Sequence, residues 1–181
     1  MEIDVAEMKR IAVIGNGGGG KSMLARRIGS ALGIPVLVID KIQFGPGLSR
    51  TPEPELHEIH SAELARDRWI IDGFGPWPAM ERRFELADTI IFIDFLMWVH
   101  FLWAARRHQA HCDAGPNAPY GDLPEAPSLE RMFAVLWKVH EEYTPRFREI
   151  FNGYRSVKNV VHLRSPEELD AFAERFGAPP A

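Results

Sequence analysis

Residues Gly15 to Ser22 read Gly-Asn-Gly-Gly-Gly-Gly-Lys-Ser and satisfy every fixed position of the pattern G-x-x-x-x-G-K-[ST]. Each residue type has a chemical reason to be there. Gly15, Gly17, Gly18, Gly19 and Gly20 allow a backbone that turns through positive φ and points successive N–H groups at one anion. Lys21 brings a point charge to the outer phosphates, and Ser22 offers a hydroxyl to Mg²⁺. A helix beginning at the end of the loop aims its positive terminus at the same anion, so Asn16 and Met23 complete the stretch expected to touch it. The cofactors implied are ATP and Mg²⁺.

The flanks supply what such a loop needs. Arg10 to Ile14 is a short buried-strand pattern, and Met23, Leu24, Ile28 and Leu32 recur at helical spacing until Gly33 and Pro35. Strand and helix patterns then alternate. Strands are expected at Val36 to Ile39, Trp69 to Ile71, Thr89 to Ile93 and Val157 to Leu163. Helices are expected from Glu53 to Arg66, Pro76 to Leu86, Met97 to Ala110, after Ser128, and after Ser165-Pro166. Pro145 should bend or break the helix that follows Ser128. This order predicts an α/β three-layer sandwich: a five-stranded parallel sheet with helices on both faces, in one domain over residues 1–181. The Pro- and Gly-rich run from Cys112 to Pro127 reads as a flap, part of a small lid inserted over about 106–127.

Ligands of such sheets bind at the carboxyl ends of the strands. Strand one ends in the glycine loop, and the next three end in Asp40, Asp72 and Asp94. Asp72 could serve the metal or act as a turn residue before Gly73. Asp40 could take a proton from an attacking hydroxyl or stand solvated beside Lys41. Asp94 is expected to satisfy backbone N–H groups of the following helix. His108, His111 and Cys112 lack a clear fourth ligand for a metal site. Trp98, Trp103 and Trp137 fit helix core, with a dimer face or stacking surface as the other reading.

Composition narrows the classes. The chain has 181 residues, 46% hydrophobic and 25% charged, with a formal net charge of -4. That balance suits a globular domain and gives nucleic acid no general electrostatic attraction. A single cysteine, Cys112, fits a reducing compartment, and the acidic N-terminus does not read as a signal peptide, so a cytoplasmic location is expected. The apolar run from Thr89 to Ala105 is shorter than a spanning helix and contains Asp94, so it reads as a strand feeding a buried helix. Oligomeric state is left open.

The glycine loop with its strand, then Leu-Val-Ile-Asp40, Trp69-Ile-Ile-Asp72-Gly73-Phe74 and Ala87-Asp88-Thr-Ile-Ile-Phe-Ile-Asp94, resembles the adenylate-kinase-like P-loop proteins, and within them the DNA topology modulation branch. The resemblance implies a small-molecule kinase with ATP and Mg²⁺, its acceptor a nucleoside or nucleotide. It puts Asp72 near the metal and Asp40 at the acceptor hydroxyl. Lid arginines would be Arg106 and Arg107, with Arg50, Arg82 and Arg83 around the acceptor. Two departures stand out. Asp94 is followed by Phe95-Leu96-Met97 where the group has a Pro-Arg pair, and no Lys or Arg occurs between His108 and Glu130. These departures open a second reading, a nucleotide-binding regulatory protein with slow or absent turnover.

The loop makes its own prediction. ATP with Mg²⁺ should raise the melting temperature by mass action, with about 2.7 kcal/mol of stabilisation at a hundredfold excess over Kd. Lys21→Ala should remove most of that shift in thermal denaturation without unfolding the protein. An undiminished shift in the variant would put the nucleotide elsewhere.

Overall fold

A computed structural model describes residues 4–43, 49–114 and 128–177. Five strands form one sheet: β1 (Arg10–Gly15), β2 (Val36–Val38), β3 (Trp69–Asp72), β4 (Thr89–Ile93) and β5 (Asn159–Leu163). Their order across the sheet is β2-β3-β1-β4-β5, and every neighbouring pair is parallel. Parallel neighbours need crossovers, and the chain supplies helices for them: α1 (Lys21–Leu32), α2 (Ile39–Gln43), α3 (Glu53–Leu64), α4 (Trp77–Leu86), α5 (Met97–Ala114), α6 (Leu129–Lys138), α7 (Thr144–Tyr154) and α8 (Pro166–Glu174). None of the described helices is long and apolar enough to cross a membrane.

Alternation along each strand divides the core in two. Ile11, Val13, Ile70, Ile91, Ile93, Val161 and Leu163 face α1, α5 and α8, where Leu24, Ile28, Val99, Leu169 and Phe172 meet them. Ala12, Ile14, Trp69, Ile71, Ile90 and Phe92 face α4 and α7, with Met80, Phe84, Phe147 and Phe151. Strands covered on both sides are apolar throughout, which is why β1, β3 and β4 read as runs rather than as alternation. At the foot of the sheet the Asp88 carboxylate accepts the backbone N–H of Arg10 at 2.7 Å and fastens the start of β1 to β4.

Several boundaries differ from the sequence expectation. The second strand stops at Val38, so Ile39 and Asp40 open the short helix α2 instead of ending a strand. Helix α5 continues through Cys112 to Ala114. The rest of the expected flap, 115–127, lies outside the described residues. The disturbance expected at Pro145 takes the form of a π-helical turn, Val139–Tyr143, ahead of α7. Proline has no N–H to give and crowds the carbonyl of the preceding turn. The widened turn accommodates this: the Thr144 N–H reaches back to the Val139 carbonyl, and Pro145 sits in the first turn of α7.

Two of the three tryptophans are not core. Trp98 is 62% exposed and Trp137 49%, while Trp103 is partly buried. The inward stripe of α5 is Val99, His100, Trp103 and Ala104, one position away from Trp98.

The α7 side of the core is an aromatic stack with Phe147 at its centre. Its fully buried ring lies 5.5 Å from Phe151, 5.6 Å from Phe74, 5.9 Å from Phe92 and 6.0 Å from both Trp77 and Phe84. Phe147→Ala should therefore cost about 3–5 kcal/mol in urea unfolding, the range for a large cavity in a packed core. Phe147→Leu should lose less than half of that. Equal losses would mean that volume is not what the site requires.

Candidate active site

The glycine loop joins the carboxyl end of β1, at the sheet centre, to the N-terminus of α1. Sheet register brings Gly15 level with Ile93, and Val13 and Val38 both level with Asp72. Three of the five glycines have positive φ: Gly15 at 146°, Gly18 at 67° and Gly20 at 79°. Gly17 and Gly19 do not, so there the requirement is space. At Gly15 both demands coincide, because a Cβ would lie 2.2 Å from the Ile93 carbonyl oxygen.

The loop is clamped from outside. The Asn16 side chain donates to the Leu136 carbonyl at 2.8 Å, so α6 holds the loop's second residue. Buried His100, on α5, places Nδ1 2.8 Å from the Gly17 carbonyl oxygen and stacks on Phe95. With that carbonyl as acceptor, Nδ1 carries the proton. A Cβ at Gly18 would lie 2.7 Å from the His100 backbone oxygen, and one at Gly17 2.5 Å from Leu136 Cδ2. Asn16, His100 and Leu136 thus fix the outer wall, which spacing from the motif alone did not single out.

On the inner side, Lys21 Nζ donates to the Asn16 carbonyl at 2.9 Å. Ser22 Oγ donates to Asp72 Oδ2 in a short hydrogen bond. Asp72 is 1% exposed, and its Oδ1 is buried without a hydrogen-bond partner. Burial raises the Asp72 pKa above the usual carboxylate value, against the pull of Lys21 and Ser22. A hydroxyl and a carboxylate with one oxygen uncommitted form a hard, sparse donor set. This suits Mg²⁺, which keeps several waters and takes one or two protein ligands. The glycine cradle and Lys21 suit the phosphates.

Asp40 sits in the first turn of α2, exposed, with Oδ1 3.5 Å from where a Cβ on Gly73 would be. Its charge acts on Asp72 and on Arg83. Arg83 lies at 0% exposure and donates to the Gly73 carbonyl at 2.7 Å, with Nε and Nη2 unpartnered. Burial pushes its pKa down to about 10, while Asp72 and Asp40 oppose the shift. Asp40, Asp72 and Arg83 therefore gather beside the loop. Arg82 faces solvent and pairs with Glu85 at 3.0 Å. Arg50 is exposed, as are Met23, Arg106 and Arg107. From α5, the Trp103 ring edge comes within 3.4 Å of a Cβ built on Gly20, at the N-terminus of α1.

Asp94 departs from its expected role as a helix cap. It accepts two hydrogen bonds from Arg148, both at 2.8 Å, and one from His162 at 2.8 Å. Although burial opposes ionisation, these donors hold its pKa down to about 2. Cys112 Sγ lies 3.7 Å from His108 Nε2 near the exposed C-terminal end of α5, and no cluster of three metal-ligating side chains occurs among the described residues.

No protein-family model and no curated protein matches the sequence. Solved structures do match. A gluconokinase from Sinorhizobium meliloti aligns over 92% of this chain and 94% of its own, at 16% identity and a TM-score of 0.52. A shikimate kinase from Acinetobacter baumannii, in complex with shikimate, aligns over 94% and 91% at 14% identity and a TM-score of 0.52. The chain has the P-loop kinase fold. An unliganded sugar kinase from a Janibacter species aligns over 93% and 94% at 18% identity and a TM-score of 0.50. At these identities the likeness concerns the fold.

The buried histidines give the site a pH signature. Burial lowers His60 and His100 from the usual 6.5 to about 4, so both are neutral in the folded chain at pH 5 to 6. The unfolded chain binds more protons between those values, so stability rises with pH across that window. It is complete above 6.5 and lost as pH falls to about 4. Urea unfolding at a series of pH values should show this slope, and His60→Gln should reduce it. A slope untouched by that substitution would remove His60 from the account.

Proposed function

We propose that the chain is an ATP-dependent phosphotransferase acting on a small molecule, with a nucleoside or nucleotide as the acceptor class. The observation that carries the reading is the junction of the glycine loop with Asp72 through Ser22, with Asp40 and Arg83 gathered at the same sheet edge. Phosphoryl transfer asks a protein mainly to position groups and neutralise charge. Ser22 and Asp72 would hold Mg²⁺, which when bound supplies charge neutralisation across the outer phosphates. Lys21, freed from the Asn16 carbonyl, turns to the transferred group. Asp40 is exposed and its carboxylate accepts no hydrogen bond among the described residues, so it orients the acceptor hydroxyl and takes its proton. Arg50, Arg82 and Arg83 are the acceptor-side cations, Arg83 acting from beneath through the Gly73 carbonyl. The acceptor class, and the tie to the DNA topology modulation branch, rest on the sequence blocks from Ile11 to Asp94.

One observation favours a second reading. Where a lid would press cations on the phosphates, α5 turns His100, Trp103 and Ala104 toward the loop, while Arg106 and Arg107 lie on its exposed side. That arrangement suits a nucleotide-binding regulatory protein with slow or absent turnover. The lid expected over 106–127 falls largely outside the described residues.

The two carboxylates separate the readings. Asp40→Asn should leave Mg²⁺-ATP affinity nearly unchanged and cut turnover by about 100-fold or more, the scale of a lost general base. Asp72→Asn should weaken the Mg²⁺ dependence of ATP binding as well as turnover. Calorimetry and ATP-consumption assays over nucleosides, nucleotides and sugars measure both. Full activity of Asp40→Asn would end its role as base. A wild type inert toward every acceptor would favour the regulatory reading.

A further inference from the structure

The edge strand β5 turns Val160 and His162 toward α7, Arg164 follows just past its end, and a cavity of about 380 Å³ opens between them. Its polar walls are Arg148, Glu149, Asn152, Arg155, His162 and Arg164, over an apolar base of Phe92 and Phe151. None of the residues that press on the glycine loop lines it: Ile93, His100, Trp103, Ala104, Leu136 and Leu169 all lie elsewhere.

Three guanidinium groups and an imidazole share this space with one carboxylate, Glu149. Asp94 adds a second carboxylate from the side, and it is already committed. It takes Nε and Nη2 of Arg148 and Nε2 of His162. Two consequences follow. Arg148 and His162 are locked in place, the imidazole also stacked on Phe92 at 4.9 Å. In addition, a guanidinium held along its Nε–Nη2 edge keeps its Nη1 edge for another acceptor, since it has five donors in a fixed fork. Arg155 and Arg164 have no side-chain hydrogen bond or ion pair among the described residues. In a chain with 25 acidic and 21 basic side chains, such a gathering of cations runs against the overall balance. Like charges held close in a cavity repel, and an anion between them removes that repulsion.

We propose that this cavity is a binding site for a small polyanion, a molecule bearing two or more phosphate or carboxylate groups. Arg148 and His162 form its rigid wall and Arg155 and Arg164 the arms that close on the ligand. Guanidinium forks match carboxylate and phosphate oxygens alike, and one of the three guanidinium groups and the imidazole are preorganised before the ligand arrives. The site is separate from the nucleotide loop and does not depend on the chemistry there.

The test uses the full chain carrying Lys21→Ala, so that the glycine loop contributes as little as possible. Sodium pyrophosphate and sodium tricarballylate are titrated by calorimetry, with arginine side-chain NMR signals followed in parallel. Saturable one-to-one binding of either probe is expected, with the Arg155 and Arg164 signals moving. Arg155→Ala/Arg164→Ala in the same background should weaken it by about tenfold or more, the scale of lost charged hydrogen bonds. Both arginines are exposed, so the variant should fold, and its melting temperature verifies this. Pyrophosphate binding alone marks a phosphate ligand, tricarballylate alone a carboxylate one, and both together selection by charge. Absence of saturation with both probes overturns the proposal. So does undiminished binding in the double variant, or an equal loss from Arg66→Ala just past the end of α3, which would reduce the effect to general surface charge.

Discussion

The close approach of Gly15 to β4 is the constraint from which the site follows. A loop that leaves the central strand and doubles back into a helix must pass over the neighbouring strand end. Here it passes so near the Ile93 carbonyl that no side chain fits. The turn sets the position of Lys21 and Ser22 at the first residues of α1. Asp72 is level with Val13 of β1 and so lies within reach of Ser22. Loop, helix terminus and carboxylate are thus fixed by strand register rather than by flexible side chains, which is the rigidity that an electrostatic site requires.

Charge is distributed around this frame at some cost. Asp72 and Arg83 are both withdrawn from water, and each keeps polar atoms without a partner. An unpaired buried polar group costs roughly 1–3 kcal/mol. Their mutual attraction, and that of Asp40 for Arg83, offsets part of it, while Asp40 repels Asp72. Asp94 illustrates the opposite solution. Its carboxylate is fully engaged by Arg148 and His162 and joins the end of β4 to α7 and β5. The two aspartates stand at the ends of β3 and β4, the strands on either side of β1. One is left with an oxygen to offer, and the other is used for structure.

The wall over the loop shows where this chain differs in chemistry from a kinase rich in lid arginines. His100, Trp103, Ala104 and Leu136 hold the loop through hydrogen bonds and packing. A neutral, packed wall preserves the shape of an anion cradle while adding little charge to it.

Local pattern was enough to read the loop, its flanking strand and helix, the five-stranded parallel sheet and the Ser165 cap. Each is written in residues near one another in sequence, through glycine freedom, apolar runs and hydrogen-bonding side chains. The gathering of Asp40 and Asp72 at one edge was also legible, because parallel strands bring their carboxyl ends together. Other features depended on packing between distant segments. The sequence could not say that Asp94 would find Arg148 and His162, 54 and 68 residues away. Nor could it say that His100 and Leu136 would clamp Asn16 and Gly17, or that Trp98 would turn outward. Helical periodicity identifies an apolar stripe, but a shift of one position, 100° around the axis, decides which member of a crowded stripe meets the core. That choice was made by the neighbours of α5 in three dimensions, and with it the difference between a tryptophan in solvent and a histidine holding the phosphate loop.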